Sequence, residues 1–333
     1  MTLADRPGRW EELKPRLARW LPLFGYLSAQ RIGKSCYHLR RGKVEPPGSC
    51  EINATDHCNL SCLDCNHASP AMPPKYADPA AVYQDCSRLA KHCRPRQIRI
   101  AGGEPLLHPD FAELLRVLRD SGLSNRLQVV TNGLLLEQMP EQAWELIDAI
   151  ELSQYPQTAL PPEKLELVRR KADQHQIALS VWEHREFHVM FALQGTSDDT
   201  LVEKIFRTCW IAQVCGCMSI HEGFIYKCPQ SIYIARIVPD TGLTPKSDGL
   251  RITDDPDFQA RMIRFLAAEQ SLEACRYCLG SVGKRRPHRV TDRQRWLAAH
   301  NVPTEELLDY DALQAAETGL TPADPLRQPF FHK

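Results

Sequence analysis

The chain has 333 residues, of which 43% are hydrophobic and 25% are charged, with 41 basic and 41 acidic side chains. This length allows one large domain or two ordinary ones. A formal net charge of zero creates no overall field that would attract nucleic acid or an acidic membrane surface. No apolar run approaches the roughly 20 residues of a membrane-spanning helix, so we expect neither nucleic acid nor a membrane as a partner.

The N-terminal segment is interrupted by charges and lacks the apolar stretch and cleavage site of a secretory signal. We therefore expect a cytoplasmic protein, in which 13 cysteines favour metal binding or catalysis over disulfides. Apolar positions over residues 9–32 have helical spacing. Pro46-Pro47-Gly48 then marks a boundary, so residues 1–48 are predicted to be a helical appendage.

From Ser49 onward, predicted strands and helices alternate, with five strands before residue 185. The strands are CEINAT (50–55), QIRIAGG, LQVVTNG, AIELSQY and IALSVWE. Alternating βα units predict an α/β fold with a parallel sheet and right-handed crossovers. Because the units needed for a closed eight-stranded barrel are missing, we predict an open, partial (βα)6-type barrel over residues 49–205. Functional groups of such a sheet lie at the carboxyl ends of its strands.

A different pattern begins after residue 200. Alternating apolar residues flank Glu222-Gly223, which has the signature of a two-residue hairpin turn, and a helix is predicted near residues 256–270. We therefore expect a small domain of hairpin and helix over residues 206–280. Residues 281–333 are rich in arginine and proline and are predicted to be a peripheral tail.

Three cysteines follow the first strand of the βα series. Cys58, Cys62 and Cys65 have the spacing C-x3-C-x2-C, whereas a zinc site usually has four ligands and a disulfide framework an even number of cysteines. Three thiolates in one loop can bind one face of a [4Fe–4S] cluster and leave one iron open to a substrate or cofactor. A nearby fourth ligand is also conceivable: Cys50, Cys86 or Cys93.

This cysteine spacing, after a strand and before a helix, resembles that of the radical S-adenosylmethionine (radical SAM) enzymes. The resemblance extends over about residues 49–185 and includes Gly102-Gly103-Glu104-Pro105. Here two glycines allow close backbone approach, Glu104 adds an acceptor for an ammonium, and Pro105 fixes the turn. In the family the open iron chelates SAM, and the GGEP element receives the methionine amino group of SAM.

Weaker resemblances and one departure follow. Thr131-Asn132-Gly133 is similar to a family segment near SAM, and Ser153 ends a strand where the family often places a ribose or carboxylate contact. Asp64 departs from the family, which often has an aromatic residue near adenine at this position. His57 and His67 flank the cysteines and are expected to be solvated.

Four later cysteines form a second candidate site. Cys209 and Cys228 flank Gly223 in the pattern C-x13-G-x4-C, and Cys275 and Cys278 form C-x2-C. The pattern resembles the twitch module, a shortened SPASM domain that holds an auxiliary [4Fe–4S] cluster. Four thiolates suit zinc equally well, but the radical SAM resemblance favours the cluster. No cysteine follows Cys278, so we predict one auxiliary cluster.

Cys215 and Cys217 lie next to the predicted hairpin. If Glu222-Gly223 is its turn, Cys217 lies opposite Cys228, and Cys215 shares the face of Cys217. Either is a candidate to replace Cys209 as a ligand, or to act in catalysis by donating a hydrogen atom to a substrate radical. A pair of buried small residues is an equally good interpretation.

By this resemblance, SAM is cleaved reductively to a 5′-deoxyadenosyl radical, which abstracts a hydrogen atom from a substrate. An external reductant such as flavodoxin or ferredoxin is implied. We expect a small hydroxylated, sugar-like or aminocyclitol-like substrate that is dehydrogenated or epimerised, because the N-terminal residues lack the strand-rich pattern of a winged-helix peptide-binding domain. The alternatives are modification of a ribosomally made peptide, a non-catalytic two-cluster electron-transfer protein, and a zinc-stabilised structural protein.

Overall fold

Strands and helices alternate along most of the chain that the structure describes. The structure is a computed structural model that describes residues 30–238, 242–244 and 246–319. In chain order the strands are β1 (Gln30–Arg31), β2 (His38–Arg40), β3 (Lys43–Glu45), β4 (Cys50–Thr55), β5 (Ile98–Gly102), β6 (Leu127–Thr131), β7 (Ala149–Gln154), β8 (Ala178–Glu183), β9 (Glu186–His188), β10 (Met218–His221), β11 (Phe224–Tyr226), β12 (Gly249–Arg251) and β13 (Arg285–Pro287).

Ten α-helices lie within these described residues, together with shorter helical turns. The α-helices are α1 (Pro79–Leu89), α2 (Phe111–Asp120), α3 (Glu141–Leu146), α4 (Pro162–Gln174), α5 (Asp199–Thr208), α6 (Gln230–Ile237), α7 (Phe258–Ala267), α8 (Arg293–His300), α9 (Thr304–Leu307) and α10 (Tyr310–Glu317). The shorter turns are 3-10 helices at Pro105–Leu107, Leu136–Gln138 and Glu273–Tyr277, and a π-helix at Ile211–Cys215. None of the described helices has both the length and the apolar character needed to cross a membrane.

The main sheet has eight strands in the order β12-β11-β10-β4-β5-β6-β7-β8. Strands β4 to β8 pair in parallel, and β10 is parallel to β4 on its other side. The sheet therefore has six parallel strands and two free edges. The predicted open α/β fold is confirmed. The sixth parallel strand, β10, lies next to β4 and not beyond β8.

Alternation along the parallel strands gives the sheet two different faces. Apolar side chains such as Ile52, Ile100 and Ile150 enter the main core with Leu114 and Leu118 of α2. Residues between them point to the opposite face, because side chains alternate along a strand. This opposite face, here called the inner face, carries Glu51, Arg99, Gln128, Glu151 and Ser219.

The hairpin of β10 and β11 forms as predicted, but within the main sheet. Glu222 and Gly223 have φ values of 45° and 82°, the left-handed pair that a type I′ turn requires. Met218 of β10 lies opposite Cys50 of β4. The hairpin thus extends the βα sheet, which differs from the separate small domain expected over residues 206–280.

The predicted helical appendage needs correction where the structure describes it. Residues 1–29 lie outside the described part of the chain, and the helix prediction for residues 30–32 is wrong. Strands β1, β2 and β3 form an antiparallel three-stranded sheet within residues 30–45. Arg41 and Gly42 have φ values of 51° and 74° and make the tight turn between β2 and β3, which the search for helical spacing missed.

The prediction of a peripheral C-terminal tail is also wrong for the described residues up to 319. Strand β13 pairs with β9, and Trp296 of α8 is fully buried in a second core with Phe191 and Tyr233. The arginine and proline content of this segment masked a few large apolar residues that pack inward. Residues 320–333 lie outside the described part of the chain.

Candidate active site

The three cysteines of the first motif lie in one loop at the carboxyl edge of the sheet. This loop, called here the cysteine loop, runs from His57 to His67 and follows β4. Burial, together with the nearby thiol of Cys65, raises the pKa of Cys58 to about 12. Burial also raises the pKa of Cys62, with Cys65 and Cys58 adding to the effect. The three thiols therefore lie within electrostatic reach of one another.

Close, buried thiols of this kind fit an iron–sulfur cluster. As thiolates without a cation they would be poorly solvated and would repel one another, and a cluster supplies the positive charge that offsets both costs. Among the described residues, no three Cys, His, Asp or Glu side chains converge on a point that would hold a single metal ion. The cysteines of a cubane each bind a different iron, so they need not converge in this way.

The three conceivable fourth ligands lie in the main core. Cys50, Cys86 and Cys93 are at most 1% exposed and pack among the apolar side chains between the sheet and the helices. They therefore lie on the helix-covered side of the sheet.

Gly102 and Gly103 bring the end of β5 into contact with the cysteine loop. Gly102 has φ +118°, and a Cβ on it would collide with the carbonyl oxygen of Thr55. A Cβ on Gly103 would collide with the carbonyl of His57 and lie 2.9 Å from the nitrogen of Cys58. Both glycines are thus required for this packing, and Pro105 begins the short 3-10 helix that follows.

The Glu104 side chain is fully buried and joins two neighbouring loops. One carboxylate oxygen accepts hydrogen bonds from the Thr131 hydroxyl at 2.6 Å and the Leu106 N–H at 3.2 Å. The other accepts from the Asn132 N–H at 2.9 Å. A carboxylate has about four acceptor positions, so one position remains. Burial raises the Glu104 pKa to about 7.

Asn132 and Ser153 lie at the ends of β6 and β7, on the same edge of the sheet. The Asn132 side-chain amide donates to Asn59 Oδ1 at 2.7 Å and lies 3.7 Å from Cys58 Sγ. Ser153 is buried on the next strand. The structure therefore gathers the cysteines, GGEP, Asn132 and Ser153 at one edge, as their strand-end positions predict.

Asp64, the departure from the family pattern, is 3% exposed. Its Oδ1 lies 3.2 Å from Nε2 of the fully buried His300 and 3.4 Å from Nη1 of Arg286. Both partners belong to the C-terminal segment that was expected to be peripheral. Asp64 therefore ties the cysteine loop to that segment.

The side chain of His67 is 29% exposed, so the expected solvation is only partial. Its Nε2 lies 3.8 Å from Oε1 of Glu51 on the inner face. Burial opposes ionisation of Cys65, but a hydrogen bond from His67 lowers the pKa of this thiol. His57 is half-buried and packs edge-on against Tyr76, with ring centroids 5.1 Å apart.

The four later cysteines also come together and are called here the auxiliary set. Burial raises the pKa of Cys228, and the neighbouring thiols of Cys278, Cys209 and Cys275 raise it further. Gly280 packs against Cys209, and its N–H lies 3.3 Å from Cys278 Sγ. Four close, buried thiols have the donor chemistry of a second cluster or of zinc, and the lack of a single point of convergence among the described residues favours the cluster.

Cys215 and Cys217 lie at the amino-terminal end of the sheet, just before β10, and the charge of Cys215 reaches Cys209 of the auxiliary set. Cys217 Sγ is 3.3 Å from Ser49 Oγ, and the hydrogen bond between the two thiols lowers the pKa of Cys215 and raises that of Cys217. The hairpin has the predicted register, but its ladder ends at Ser219 and Tyr226 and does not extend to Cys217 and Cys228.

Sequence reasoning missed a group of stacked rings next to the cysteine loop. Tyr155 stacks on His288 with ring centroids 4.9 Å apart and on Phe187 at 5.7 Å, and His184 lies beside them. His288 Nε2 is 3.2 Å from Cys62 Sγ. No spacing in the sequence connects these residues, since His288 is 226 positions from Cys62.

The inner face forms a polar wall below the cysteine loop. Arg99 donates to Glu151 at 2.9 Å, and Gln128 donates to the other oxygen of that carboxylate at 3.3 Å. Three buried atoms on this wall have no hydrogen-bond partner: Glu51 Oε1, Arg99 Nε and Ser219 Oγ. Buried polar groups are normally paired, so Arg99 Nε and Ser219 Oγ are available to a bound polar molecule, whereas Glu51 Oε1 already faces His67 Nε2 at 3.8 Å.

Residues 52–203 match the sequence profile of the Radical SAM superfamily. The match begins within β4 and contains β5 to β8, the cysteine loop and the GGEP element, so this part of the chain is a radical SAM domain. Domains of this superfamily use a [4Fe–4S] cluster and SAM. The resemblance inferred from the motifs is thereby confirmed.

Individual relatives are similar over only part of their length. A GTP 3′,8-cyclase of Rhodopirellula baltica is 39% identical over 95 residues, which are 26% of this chain and 25% of the relative. A GTP 3′,8-cyclase of Syntrophomonas wolfei is 25% identical over 167 residues, which are 46% of this chain and 48% of the relative. The chain thus spans between a quarter and a half of these curated relatives.

Two solved structures are similar at low identity. BtrN in complex with AdoMet and 2-DOIA has a TM-score of 0.42 and 16% identity, covering 70% of this chain and 92% of its own. Streptococcus suis SuiB bound to S-adenosylmethionine has a TM-score of 0.39 and 11% identity, covering 66% of each chain. These scores are too low for a functional conclusion.

Proposed function

We propose that this protein is a radical SAM enzyme that abstracts a hydrogen atom from a small hydroxylated substrate, sugar-like or aminocyclitol-like, for dehydrogenation or epimerisation. The observation that carries the substrate class is the polar inner face, where three buried atoms make no hydrogen bond. Glu51 Oε1 can accept a hydrogen bond from a hydroxyl, Arg99 Nε can donate one, and Ser219 Oγ can do either. A polyhydroxylated ring supplies several donors and acceptors at once, as this wall requires.

Cys58, Cys62 and Cys65 would hold the [4Fe–4S] cluster, and its fourth iron would be left for SAM. When bound, the cluster and SAM supply a 5′-deoxyadenosyl radical that removes a hydrogen atom from the substrate. Glu104 keeps one acceptor position, which suits the methionine ammonium of SAM. Gly102, Gly103 and Pro105 hold Glu104 at the loop.

Asn132 and Ser153 complete the proposed cofactor contacts at the neighbouring strand ends. Each is buried at the sheet edge that also carries the cysteine loop. The Asn132 side chain already spans from Asn59 to the region of Cys58. Both can therefore orient polar groups of SAM without leaving the edge of the sheet.

The auxiliary set, Cys209, Cys228, Cys275 and Cys278, would hold a second [4Fe–4S] cluster. Gln230 connects the two sites, because its Oε1 lies 2.9 Å from Cys228 Sγ and its Nε2 lies 3.4 Å from the Asn66 carbonyl in the cysteine loop. A dehydrogenase must pass one electron from its substrate radical to an acceptor, and a second cluster at this position would serve. An external flavodoxin or ferredoxin would supply the first electron.

An epimerase needs a hydrogen-atom donor in place of an electron acceptor. Cys215 and Cys217 lie at the amino-terminal end of the sheet, and Cys217 is near Glu51 and Arg99. A substrate on the inner face could receive a hydrogen atom from a thiol at that end. If turnover survives replacement of both cysteines with alanine, the donor role is wrong and dehydrogenation is favoured.

The decisive experiment uses anaerobically reconstituted full-length protein, dithionite, SAM and a panel of deuterated aminocyclitols and hexoses. We expect 5′-deoxyadenosine from SAM and deuterium transfer into it from one substrate. Formation of 5′-deoxyadenosine without deuterium from any of them would contradict the substrate class. No 5′-deoxyadenosine under any condition would favour a non-catalytic electron carrier.

A second candidate, modification of a peptide, is favoured by one observation. Strand β8 is an edge of the main sheet, with Ala178, Val181 and Glu183 exposed along it. Edge strands can pair with an extended peptide. In addition, residues 30–45 contain three strands. The expected lack of strands in this region therefore no longer disfavours a peptide substrate. We do not propose that this protein cyclises GTP, because its similarity to the GTP 3′,8-cyclases covers at most about half of their length.

A further inference from the structure

The cysteine loop is held by backbone hydrogen bonds from the C-terminal segment. The Leu63 N–H donates to the Arg289 carbonyl at 2.9 Å, and the Thr291 N–H donates to the Ser61 carbonyl at 2.7 Å. Between them, Cys62 and Val290 form an antiparallel bridge. Residues 289–291 therefore act as a short partner strand for residues 61–63, directly over the second cysteine.

His288 precedes this partner strand, and its position is fixed from several sides. The backbone N–H of His288 donates to the Arg185 carbonyl at 2.8 Å. Its ring stacks on Tyr155, with 19° between the ring planes, and also contacts Phe187 at a centroid distance of 5.6 Å. The residue is only 6% exposed. This packing leaves the imidazole with one polar contact from its ring, Nε2 to Cys62 Sγ at 3.2 Å.

The chemistry of a ligating cysteine decides which atom carries the hydrogen. A metal-bound thiolate has no hydrogen and can only accept, so Nε2 of His288 must donate. Nδ1 of His288 is buried with no hydrogen-bond partner, so nothing in the described surroundings favours the other tautomer. The geometry thus presents one N–H to one cluster ligand.

We propose that His288 is a positioning residue that donates an N–H···S hydrogen bond to Cys62 and raises the reduction potential of the radical SAM cluster. Hydrogen bonds to cluster sulfurs help to set the potential. Reduction adds negative charge to the cluster, and a donor aimed at a ligand sulfur stabilises that charge. This inference concerns the radical SAM domain and its cluster, so it does not depend on the proposed substrate or on the auxiliary cluster.

The test is an EPR-monitored reductive titration of reconstituted protein. The first cluster is identified as the signal that changes when SAM is added. His288→Phe keeps the stacked ring and removes the donor, and we expect the midpoint potential of this signal to become more negative. His288→Gln places an N–H near the position of Nε2 and should restore the wild-type potential. His184→Phe, which alters a neighbouring ring without a contact to Cys62, is the matched control and should leave the potential unchanged.

Iron per chain is measured for every variant and distinguishes tuning from simple loss of the cluster. A His288→Phe protein with full iron and the wild-type potential overturns the proposal, as does a shift of the same size in His184→Phe. If His288→Phe loads no iron, the Gln variant decides. A loaded Gln variant at the wild-type potential supports the donor role. A shifted potential in the Gln variant, or loss of iron in both variants, overturns the proposal. Either result would show that the imidazole ring is required and not its N–H.

Discussion

Asp64 shows how one buried carboxylate can position a whole loop. It lies between Cys62 and Cys65, and both of its ion-pair partners, Arg286 and His300, come from more than 200 positions away. The side chains of Asp64 and His300 are 2% and 0% exposed. Removing one member of a buried pair leaves the other charged or polar group without compensation.

We therefore predict that Asp64→Ala lowers the free energy of unfolding by about 3 kcal/mol. The measurement is urea-induced unfolding under anaerobic, reducing conditions. Asp120→Ala is the matched control, because its pair with Arg116 is exposed and should contribute less than about 1 kcal/mol. Equal effects of the two substitutions would mean that Asp64 does not hold the loop.

Glu104 gives a second prediction at this scale, for the metal-free protein. Burial raises its pKa to about 7 from an ordinary value of 4.5, so the folded state binds a proton more tightly than the unfolded state. The resulting stabilisation is complete below pH 4.5 and is lost as the pH rises through 7. Between pH 5 and pH 8 the wild type should lose about 2–3 kcal/mol more than Glu104→Gln.

Urea unfolding of both metal-free proteins at several pH values measures this difference. The Gln side chain keeps the size of Glu104 and does not titrate, so other groups cancel in the comparison. Parallel stability profiles of the two proteins would show that Glu104 ionises in the folded state as readily as in the unfolded one.

At the scale of elements, the site depends on contacts between strand ends and loops. The end of β5 touches the cysteine loop only because Gly103 has no side chain, and the partner strand at residues 289–291 covers the loop from the other side. The loop is thus held between an element close in sequence and one at the far end of the described chain.

Gly103→Ala should therefore impair loading of the first cluster. Its Cβ would collide with the His57 carbonyl, so the loop that carries Cys58 must move. We expect loss of the SAM-responsive EPR signal and of about four irons per chain after reconstitution.

Gly42→Ala is the control for this substitution. A Cβ at Gly42 meets no atom within 4 Å, although its positive φ makes alanine cost about 1 kcal/mol. The Gly42 variant should keep its iron. A fully loaded Gly103→Ala protein would contradict the tight packing of β5 against the loop.

In the molecule as a whole, the side chain of Gln230 connects the cysteine loop with the auxiliary set. Cys228 begins the turn into α6, and Gln230 on that helix reaches the carbonyl of Asn66 in the cysteine loop. Because β11 belongs to the main sheet, Cys228 is held next to the radical SAM domain. This arrangement would suit electron transfer between the two proposed clusters.

Replacing both Cys275 and Cys278 with alanine should reduce the iron content from about eight to about four atoms per chain. The SAM-responsive signal should remain, since the cysteine loop is unchanged. Cys86→Ala, in the main core, should retain all the iron. Stoichiometric zinc with about four irons in the wild type would show that the auxiliary set is a zinc site.

Much of the fold could be read from local patterns. Strands β4 to β8, the helices between them and the turn at Glu222-Gly223 follow from periodicity and turn residues, because these features depend on neighbours in sequence. The same holds for the cysteine loop and GGEP, whose positions at strand ends place them on one edge of a parallel sheet.

Contacts between distant segments became visible only in the folded structure. The sequence predicts the radical SAM motif and the open α/β sheet, since both are encoded in short stretches with fixed spacing. It did not determine that β10 pairs with β4, that Asp64 meets His300, or that His288 faces Cys62. Such contacts depend on how whole elements pack, and a charged, proline-rich segment shows no local sign that a few of its residues will be buried beside the site.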